Sequence, residues 1–166
     1  MTFTETTLRS LPNRRCMLAA IAGGMAIGLG WAGPLRANTV KTQIEVWKDP
    51  NCGCCKDWMA SLEKEGFTFK VHDQGNTTAR AALGMPQDLG SCHTARVQGY
   101  ILEGHVPAAD VKRLLASKPQ ALGLAVPGMP IGSPGMDGPT YGGRRDPYKV
   151  LLVKKDGTTA VFGSYA

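Results

Sequence analysis

The segment Cys52-Gly53-Cys54-Cys55 lies between a strand-like segment and a helix-like segment. Residues 44–47 before it alternate apolar and polar side chains, which predicts a strand, and residues 56–65 after it repeat apolar side chains at helical spacing. Asn51 is expected to cap this helix, which would then begin at the cysteines. Thiolates at a helix N-terminus are favoured by unpaired backbone N–H groups and by the helix dipole. The three thiols can therefore exchange disulfides or hold a soft metal ion.

The segments that follow predict one α/β domain. A second strand at residues 67–71 completes a β-α-β unit, whose right-handed crossover makes the two strands parallel. We expect further elements in the order helix, strand, helix and hairpin at residues 77–83, 95–102, 108–116 and 148–162. This β-α-β-α-β-β order resembles a thioredoxin-like fold. Residues 119–147 are rich in Gly, Pro and Met and are too long for a simple connection, so we predict a long loop insertion there, and loops of this length are usually functional or disordered.

The local sequence also resembles thioredoxins. They carry Cys-Gly-Pro-Cys-Lys at the end of the first strand, where this chain has Cys52-Gly53-Cys54-Cys55-Lys56, with a third thiol in place of the proline. In thioredoxins a proline before the third strand lies against the disulfide. Here Ser91-Cys92-His93-Thr94 occupies that place, so the resemblance implies that Cys92 faces the other three cysteines.

The first 37 residues predict an export signal. Arg9, Arg14 and Arg15 precede the uncharged residues 17–32, and Ala37 offers a small residue at a cleavage site. Arg14-Arg15 also fits a twin-arginine signal, so both export routes stay open. We expect a signal peptide at residues 1–37, a thioredoxin-like metal-binding domain at residues 38–166, and a periplasmic mature protein without a membrane span.

Charge and motifs exclude several classes of function. The formal net charge is +6, of which the first 37 residues supply +3. The other +3 is scattered along the rest of the chain, which indicates ordinary solubility and no nucleic-acid partner. The sequence has no phosphate-binding loop, no recognisable pair of acid/base carboxylates and no Ser-His-Asp order. We therefore predict no hydrolytic or nucleotide chemistry and no conventional enzyme; copper or thiol redox activity stays open.

The cysteine spacing leaves two pairing schemes open. An exported protein meets a disulfide-permissive compartment, and four cysteines lie outside the signal. Neighbours Cys54 and Cys55 can pair only through a strained ring, whereas Cys52 and Cys55 are comfortably spaced. Cys54 would then pair with Cys92 or bind a metal.

The donor atoms point to copper. Thiolates select Cu(I), zinc or iron–sulfur clusters, and methionine thioether narrows that choice to Cu(I). The candidate metal ligands are Cys52, Cys54, Cys55, Cys92, Met129, Met136, His93 and His105. One Cu(I) needs only two or three ligands, so eight candidates indicate several ions with bridging thiolates, or some bystanders. The methionines can instead pack over the edge of the hydrophobic core, and the histidines can be hydrogen-bonded residues that bind no metal.

Several segments together resemble the CopG-type periplasmic copper-resistance proteins, the domain-of-unknown-function family 411. The matching segments are Lys48-Asp49-Pro50-Asn51-Cys52-Gly53-Cys54-Cys55-Lys56, Ser91-Cys92-His93-Thr94, Gly99-Tyr100, Glu103-Gly104-His105-Val106-Pro107 and residues 127–136. The resemblance implies a thioredoxin-like fold whose cysteines bind copper in a thiolate-bridged cluster. Copper ions and other periplasmic copper-handling proteins are the implied partners.

Two other functions compete with copper binding. In a thiol–disulfide oxidoreductase, Cys52 would be the nucleophile and Cys55 the resolving thiol, although a third thiol could attack mixed disulfides wrongly. A disulfide-stapled interaction domain without metal is the other alternative.

Overall fold

The computed structural model describes residues 41–166, so the predicted signal peptide, with Arg14, Arg15 and Cys16, lies outside the described residues. Within them the elements follow in the order β1 (Thr42–Lys48), α1 (Gly53–Lys64), β2 (Phe67–His72), α2 (Thr77–Ala82), β3 (His93–Val97), β4 (Tyr100–Glu103), α3 (Ala108–Ser117), β5 (Gly123–Ala125), β6 (Tyr148–Val153) and β7 (Thr159–Tyr165). Short 3-10 helices cover Gln87–Leu89 and Pro139–Tyr141. The predicted helices and final hairpin are therefore present, with bounds shifted by a few residues.

The strands of the described part form one mixed sheet of seven in the order β2-β1-β3-β4-β5-β6-β7. β1 and β2 are parallel, as predicted from the β-α-β unit. β3 runs antiparallel to β1, and β4 runs antiparallel to β3. β5 is parallel to β4, and β6 and β7 extend the sheet as an antiparallel hairpin. The chain has a mixed α/β fold, as predicted.

Two apolar cores cover the two faces of this sheet. Neighbouring residues of a strand point to opposite faces, and in β4 Leu102 joins one core while Ile101 joins the other. The larger core takes in Trp58 of α1 and Leu114 of α3, which places both helices on the face of Leu102. The smaller core includes Met85 and other residues near the Gln87–Leu89 helix. The Trp58 indole N–H donates to the backbone carbonyl of Val106 at 2.9 Å, so this large buried ring has its polar atom satisfied.

The prediction of one strand over residues 95–102 was wrong. The segment is a hairpin of β3 and β4, joined at Gln98-Gly99, where both residues have positive φ angles of 47° and 87°. Two-residue hairpin turns favour positive φ at both central positions, which glycine adopts without cost and glutamine does not. Apolar residues on both sides of this turn made the pair look like one strand.

The loop predicted over residues 119–147 contains a strand that the sequence did not predict, β5. Gly123 of β5 is opposite Ile101, and a Cβ atom on Gly123 would lie 1.8 Å from the Ile101 carbonyl oxygen. Only a glycine lets β5 approach β4 this closely. A three-residue strand that begins with glycine gives almost no signal in sequence, since glycine is rare in strand interiors.

Replacing Gly123 with alanine is expected to push β5 away from β4. We predict that Gly123→Ala lowers the free energy of unfolding by about 1–3 kcal/mol, the usual range for overpacking. Gly138→Ala is the matched control, because a Cβ there meets nothing within 4 Å, and its effect should stay within about 0.5 kcal/mol. Urea unfolding followed by circular dichroism measures both, and equal stability of the two variants would contradict the close β4–β5 contact.

Candidate metal centre

Four cysteine sulfurs meet at one end of the sheet. The Sγ atoms of Cys52, Cys54, Cys55 and Cys92, called here the cysteine cluster, all lie within 4.8 Å of one another. The Sγ of Cys54 is 3.6 Å from that of Cys52 and 3.9 Å from that of Cys92. Cys92 thus faces the other three despite its distance in sequence, as the thioredoxin resemblance implied.

The first turn of α1 presents three of these sulfurs. Cys52 is the N-cap residue and makes no side-chain capping bond, so the prediction that Asn51 caps the helix was wrong. Asp49 shapes the preceding turn: its carboxylate accepts the Asn51 N–H at 2.8 Å, and its carbonyl accepts the Cys52 N–H at 3.1 Å. Cys54 and Cys55 then lie in the first turn, where backbone N–H groups lack helical partners and favour negative charge.

The cluster is half oxidised in the structure. Cys52 and Cys55 form a disulfide, with their Cα atoms 5.4 Å apart, and Cys54 and Cys92 are free thiols. This is the comfortable local pairing that the sequence spacing allowed. The Sγ of Cys55 also lies 3.6 Å from the Cys92 carbonyl oxygen, although a disulfide sulfur has no proton to donate.

His105 completes a second group of ligand atoms around Cys92. Its Nε2 lies 2.9 Å from Cys92 Sγ, and its Nδ1 lies 2.8 Å from the carbonyl oxygen of Pro134. Because a carbonyl only accepts, Nδ1 carries the proton, and the free lone pair on Nε2 accepts the Cys92 S–H. His105 does not cap the next helix, whose N-cap is Pro107.

His93 is the third member of this group. Its ring is fully buried and packs against Trp58 with the ring planes tilted by 40° and the centroids 4.2 Å apart. Its Nδ1 lies 3.4 Å from Cys92 Sγ. Its Nε2 is the one buried side-chain nitrogen or oxygen among residues 41–166 without a hydrogen-bond partner. Most buried polar atoms are satisfied, so this nitrogen is a candidate ligand or proton acceptor.

Burial keeps these groups uncharged. Burial, with a further contribution from Cys54, raises the pKa of Cys92 to about 12. Burial, and then the nearby His105, holds the pKa of His93 well below its usual range, and burial also lowers the pKa of His105. At neutral pH the metal-free pocket therefore holds a Cys92 thiol and two neutral imidazoles, so a metal ion that uses Cys92 must displace its proton.

The glycine- and proline-rich segment of residues 127–136 packs over the cluster. Gly135 has a φ angle of +86°, and a Cβ there would lie 2.5 Å from the Cys54 carbonyl oxygen, so the segment lies directly on the start of α1. The Ser91 hydroxyl donates to the Gly128 carbonyl beside Cys92. This segment therefore contacts the backbone of Cys54 and the residue that precedes Cys92.

The two methionines of this segment differ in exposure. The side chain of Met129 is 51 % exposed, whereas Met136 is partly buried and its Sδ accepts a hydrogen bond from the Tyr141 hydroxyl at 3.2 Å. Their part in metal binding stays a prediction.

The donor set fits a soft metal ion. Sulfur separations of 3.6 and 3.9 Å are less than twice the length of about 2.3 Å typical of a zinc–thiolate bond, so one ion of similar size can reach two sulfurs. The two candidate ligand groups of residues 41–166 contain only cysteine and histidine, and no carboxylate. Thiolate and imidazole suit copper and zinc, whereas hard ions such as magnesium prefer oxygen.

Sequence reasoning gave no role to two groups that support this pocket. The Pro134 carbonyl sets the His105 tautomer, and the buried carboxylate of Glu103 binds the backbone of Ser91, next to Cys92. Neither has a motif of its own, since a backbone carbonyl leaves no mark in sequence and a single glutamate resembles a surface residue.

The fold and the site define an α/β protein with a cluster of soft metal ligands, and comparison with known proteins identifies its family. The profile of a family described as "Protein of unknown function, DUF411" matches residues 89–136. Two solved structures of a copper resistance protein copG, its form 2 and form 1, are both 44% identical in sequence to this chain. Form 2 has a TM-score of 0.69 over 75% of this chain and 98% of its own; form 1 has 0.68 over 74% and 96%. No curated protein matches the chain.

The chain therefore belongs to the CopG-type DUF411 family, because it covers nearly all of the chain in both copG structures at 44% identity. This confirms the family expected from the sequence. The relatives are copper resistance proteins, and the cysteine and histidine groups found here fit copper binding.

The pKa of Cys92 predicts slow reaction with alkylating agents. At pH 8 only a very small fraction of a thiol with a pKa of about 12 is ionised to the reactive thiolate. A thiolate of high pKa is more nucleophilic, which offsets part of this loss, so we expect alkylation of Cys92 by iodoacetamide to be about 100-fold slower than that of an ordinary cysteine. The rate should keep rising above pH 10. Mass spectrometry of the Cys92 peptide measures it, with urea-unfolded protein as the control; equal rates in folded and unfolded protein would show that burial does not protect this thiol.

Proposed function

We propose that this chain is a periplasmic copper-binding protein that holds Cu(I) through thiolates in copper resistance and homeostasis. The observation that carries the proposal is the convergence of four cysteine sulfurs within 4.8 Å, with two histidines around one of them. Copper is the cargo here. Its monovalent ion prefers the thiolate, thioether and imidazole donors that this pocket offers.

The ligands fall into a permanent part and a redox-dependent part. Cys54, Cys92 and His105 are available while the disulfide is closed, and they offer enough donors for one Cu(I). Reduction of Cys52–Cys55 adds two thiolates, so the reduced protein would bridge further ions. Met129 and Met136 would cap this cluster, and His93 would offer Nδ1, which lies 3.4 Å from Cys92 Sγ.

Binding at Cys92 is coupled to proton release. The thiol proton that His105 accepts in the metal-free pocket must leave when the sulfur binds Cu(I), so affinity rises with pH until that thiol is ionised. The Pro134 carbonyl keeps Nδ1 of His105 protonated and leaves Nε2 free to bind the ion.

The disulfide also gives the pocket a redox chemistry with copper. Oxidation of the Cys52 and Cys55 thiols to a disulfide yields two electrons and two protons, and two Cu(II) ions can accept the electrons and become two Cu(I) ions. The free thiols of Cys54 and Cys92 would then hold one of the two Cu(I) ions, and the other would leave the pocket. In this proposal the cluster both reduces and stores the metal.

Fold type and location belong to the same proposal. The strands β2, β1, β3 and β4, with α1 and α3, would form a thioredoxin-like core, supported by the parallel β1–β2 pair and the cysteines at the start of α1. Residues 1–37 would direct export to the periplasm. Among residues 41–166 no helix combines the length and the apolar character that crossing a membrane requires.

A thiol–disulfide oxidoreductase of the thioredoxin type is the second candidate. A Cys52–Cys55 disulfide at a helix N-terminus favours it. The Cys54 thiol, 3.6 Å from the Cys52 sulfur, counts against it, because it can attack a mixed disulfide at Cys52 before the substrate thiol is resolved.

The copper capacity should depend on the disulfide. Anaerobic titration with Cu(I) against a competing chelator is expected to saturate at about one ion per disulfide-bonded chain and at more than one per reduced chain, because reduction doubles the number of thiolates. Equal capacities in the two states would contradict the division of the ligands into two parts.

Cys92→Ser separates the two candidate functions. It should weaken Cu(I) binding in both redox states while leaving the Cys52–Cys55 disulfide able to form. Insulin reduction by the metal-free wild type should be slow. Rapid turnover that survives Cys92→Ser, together with unchanged copper binding, would favour the oxidoreductase.

A further inference from the structure

A buried polar network surrounds the two residues at the centre of the pocket, Cys92 and His93. The carboxylate of Glu103 is fully buried at the end of β4. One oxygen accepts the Ser91 backbone N–H at 2.7 Å, and the other accepts the Thr94 hydroxyl at 2.6 Å. A single side chain therefore binds the residues on both sides of the Cys92-His93 pair.

Two further side chains complete this network. Arg80 of α2 donates through Nε to Glu103 at 2.9 Å and through its terminal nitrogen to the Ser91 carbonyl at 2.7 Å. Asn76 donates to the same carbonyl at 3.1 Å and to the Thr94 hydroxyl at 3.2 Å. We call Asn76, Arg80, Ser91, Thr94 and Glu103 the Glu103 network. It engages both backbone polar groups of Ser91, so the residue before Cys92 is fixed in place.

The C-terminal end of β4 connects the Glu103 network to His105, whose Nε2 is a candidate metal ligand. Thr94 pairs with Glu103 across β3 and β4, and the Gly104 N–H donates to the His93 carbonyl at 3.0 Å. Two residues beyond Glu103, His105 reaches Cys92 Sγ at 2.9 Å. A shift of the Glu103 side chain would therefore move Cys92 and His105 relative to each other.

Stability alone is a weak explanation for this arrangement. Taking an arginine and a glutamate out of water costs free energy that their attraction barely repays, and a well-packed apolar pair is often as stable. The hydrogen bonds of the Glu103 network instead hold the segment that carries Cys92 and His93. Residues that orient metal ligands from outside the ligand shell commonly change metal affinity 10-fold to 100-fold when mutated.

We propose that Glu103 and Arg80 are positioning residues, which hold the Ser91–Thr94 segment so that Cys92 Sγ and His105 Nε2 converge on one metal ion. The inference rests on the proposed copper-binding function. It assigns to α2 and the end of β4 a role in metal affinity, although neither residue is itself a ligand.

The test compares Cu(I) affinity in variants of the full chain under reducing conditions. Glu103→Gln keeps the side-chain size but turns one acceptor into a donor and removes the charge facing Arg80, so the network loses at least one bond. We expect Cu(I) affinity, measured by chelator competition, to fall about 10-fold to 100-fold, with a changed Cu(I)–thiolate absorption spectrum. Thr94→Val removes the other contact with little change in shape and should weaken binding in the same direction, which keeps the test decisive if Glu103→Gln does not fold.

Asp110→Asn is the matched control. Asp110 is also a buried carboxylate with two donors, Arg113 and the Tyr165 hydroxyl, each at 2.6 Å, but these partners lie on α3 and β7. It should lose stability in urea with no change in copper affinity or spectrum.

The results distinguish failure of the positioning role of Glu103 and Arg80 from failure of the proposed copper binding. Folded Glu103→Gln or Thr94→Val with wild-type affinity and spectrum would overturn the positioning role and leave copper binding intact. An equal loss of affinity in Asp110→Asn would also overturn it, because general destabilisation would then explain the effect. If the wild type binds no Cu(I), the proposed function fails, and the positioning role fails with it.

Discussion

The register between β1 and β3 is the constraint on which the site depends. Lys48, the last residue of β1, pairs with His93, the first residue of β3. The chain leaves β1 toward Cys52 at the same end of the sheet where it enters β3 through Cys92. A shift of one residue in this antiparallel pair would turn every β3 side chain to the opposite face and separate the sulfurs. The backbone hydrogen bonds and the apolar cores of the sheet therefore fix the distance between thiols that are far apart in sequence.

Burial then decides what this convergence can do. The pocket raises the pKa of Cys92 and lowers the pKa of both histidines, so these three groups are uncharged without metal and a thiolate at Cys92 requires a positive partner. A metal ion is such a partner, and it exchanges for the thiol proton. The disulfide between Cys52 and Cys55 removes two donors and leaves Cys54 and Cys92 free, so the oxidation state of the protein sets how many ligands are open.

Much of this site could be predicted from the sequence, because its parts have strong local signals. The sequence places three cysteines between a strand and a helix, and it places Cys92 in the segment Ser91–Thr94 before another strand. These two signals predicted both parts of the cysteine cluster and their contact. The missed features lack such signals. β5 is three residues long and starts with a glycine that only the close approach of β4 explains, and the Gln98-Gly99 turn was hidden by its apolar neighbours. Glu103 takes its place in the pocket from strand pairing, and Pro134 acts through a backbone carbonyl that every residue possesses.

X-ray absorption at the copper edge, on reduced protein loaded with one Cu(I), measures whether the cysteine sulfurs converge on the metal. Convergence of the sulfurs on the metal predicts a first shell dominated by sulfur, with an imidazole contribution that decreases in His105→Ala and a sulfur contribution that decreases in Cys92→Ser. A shell of nitrogen and oxygen alone, unchanged in Cys92→Ser, would contradict it.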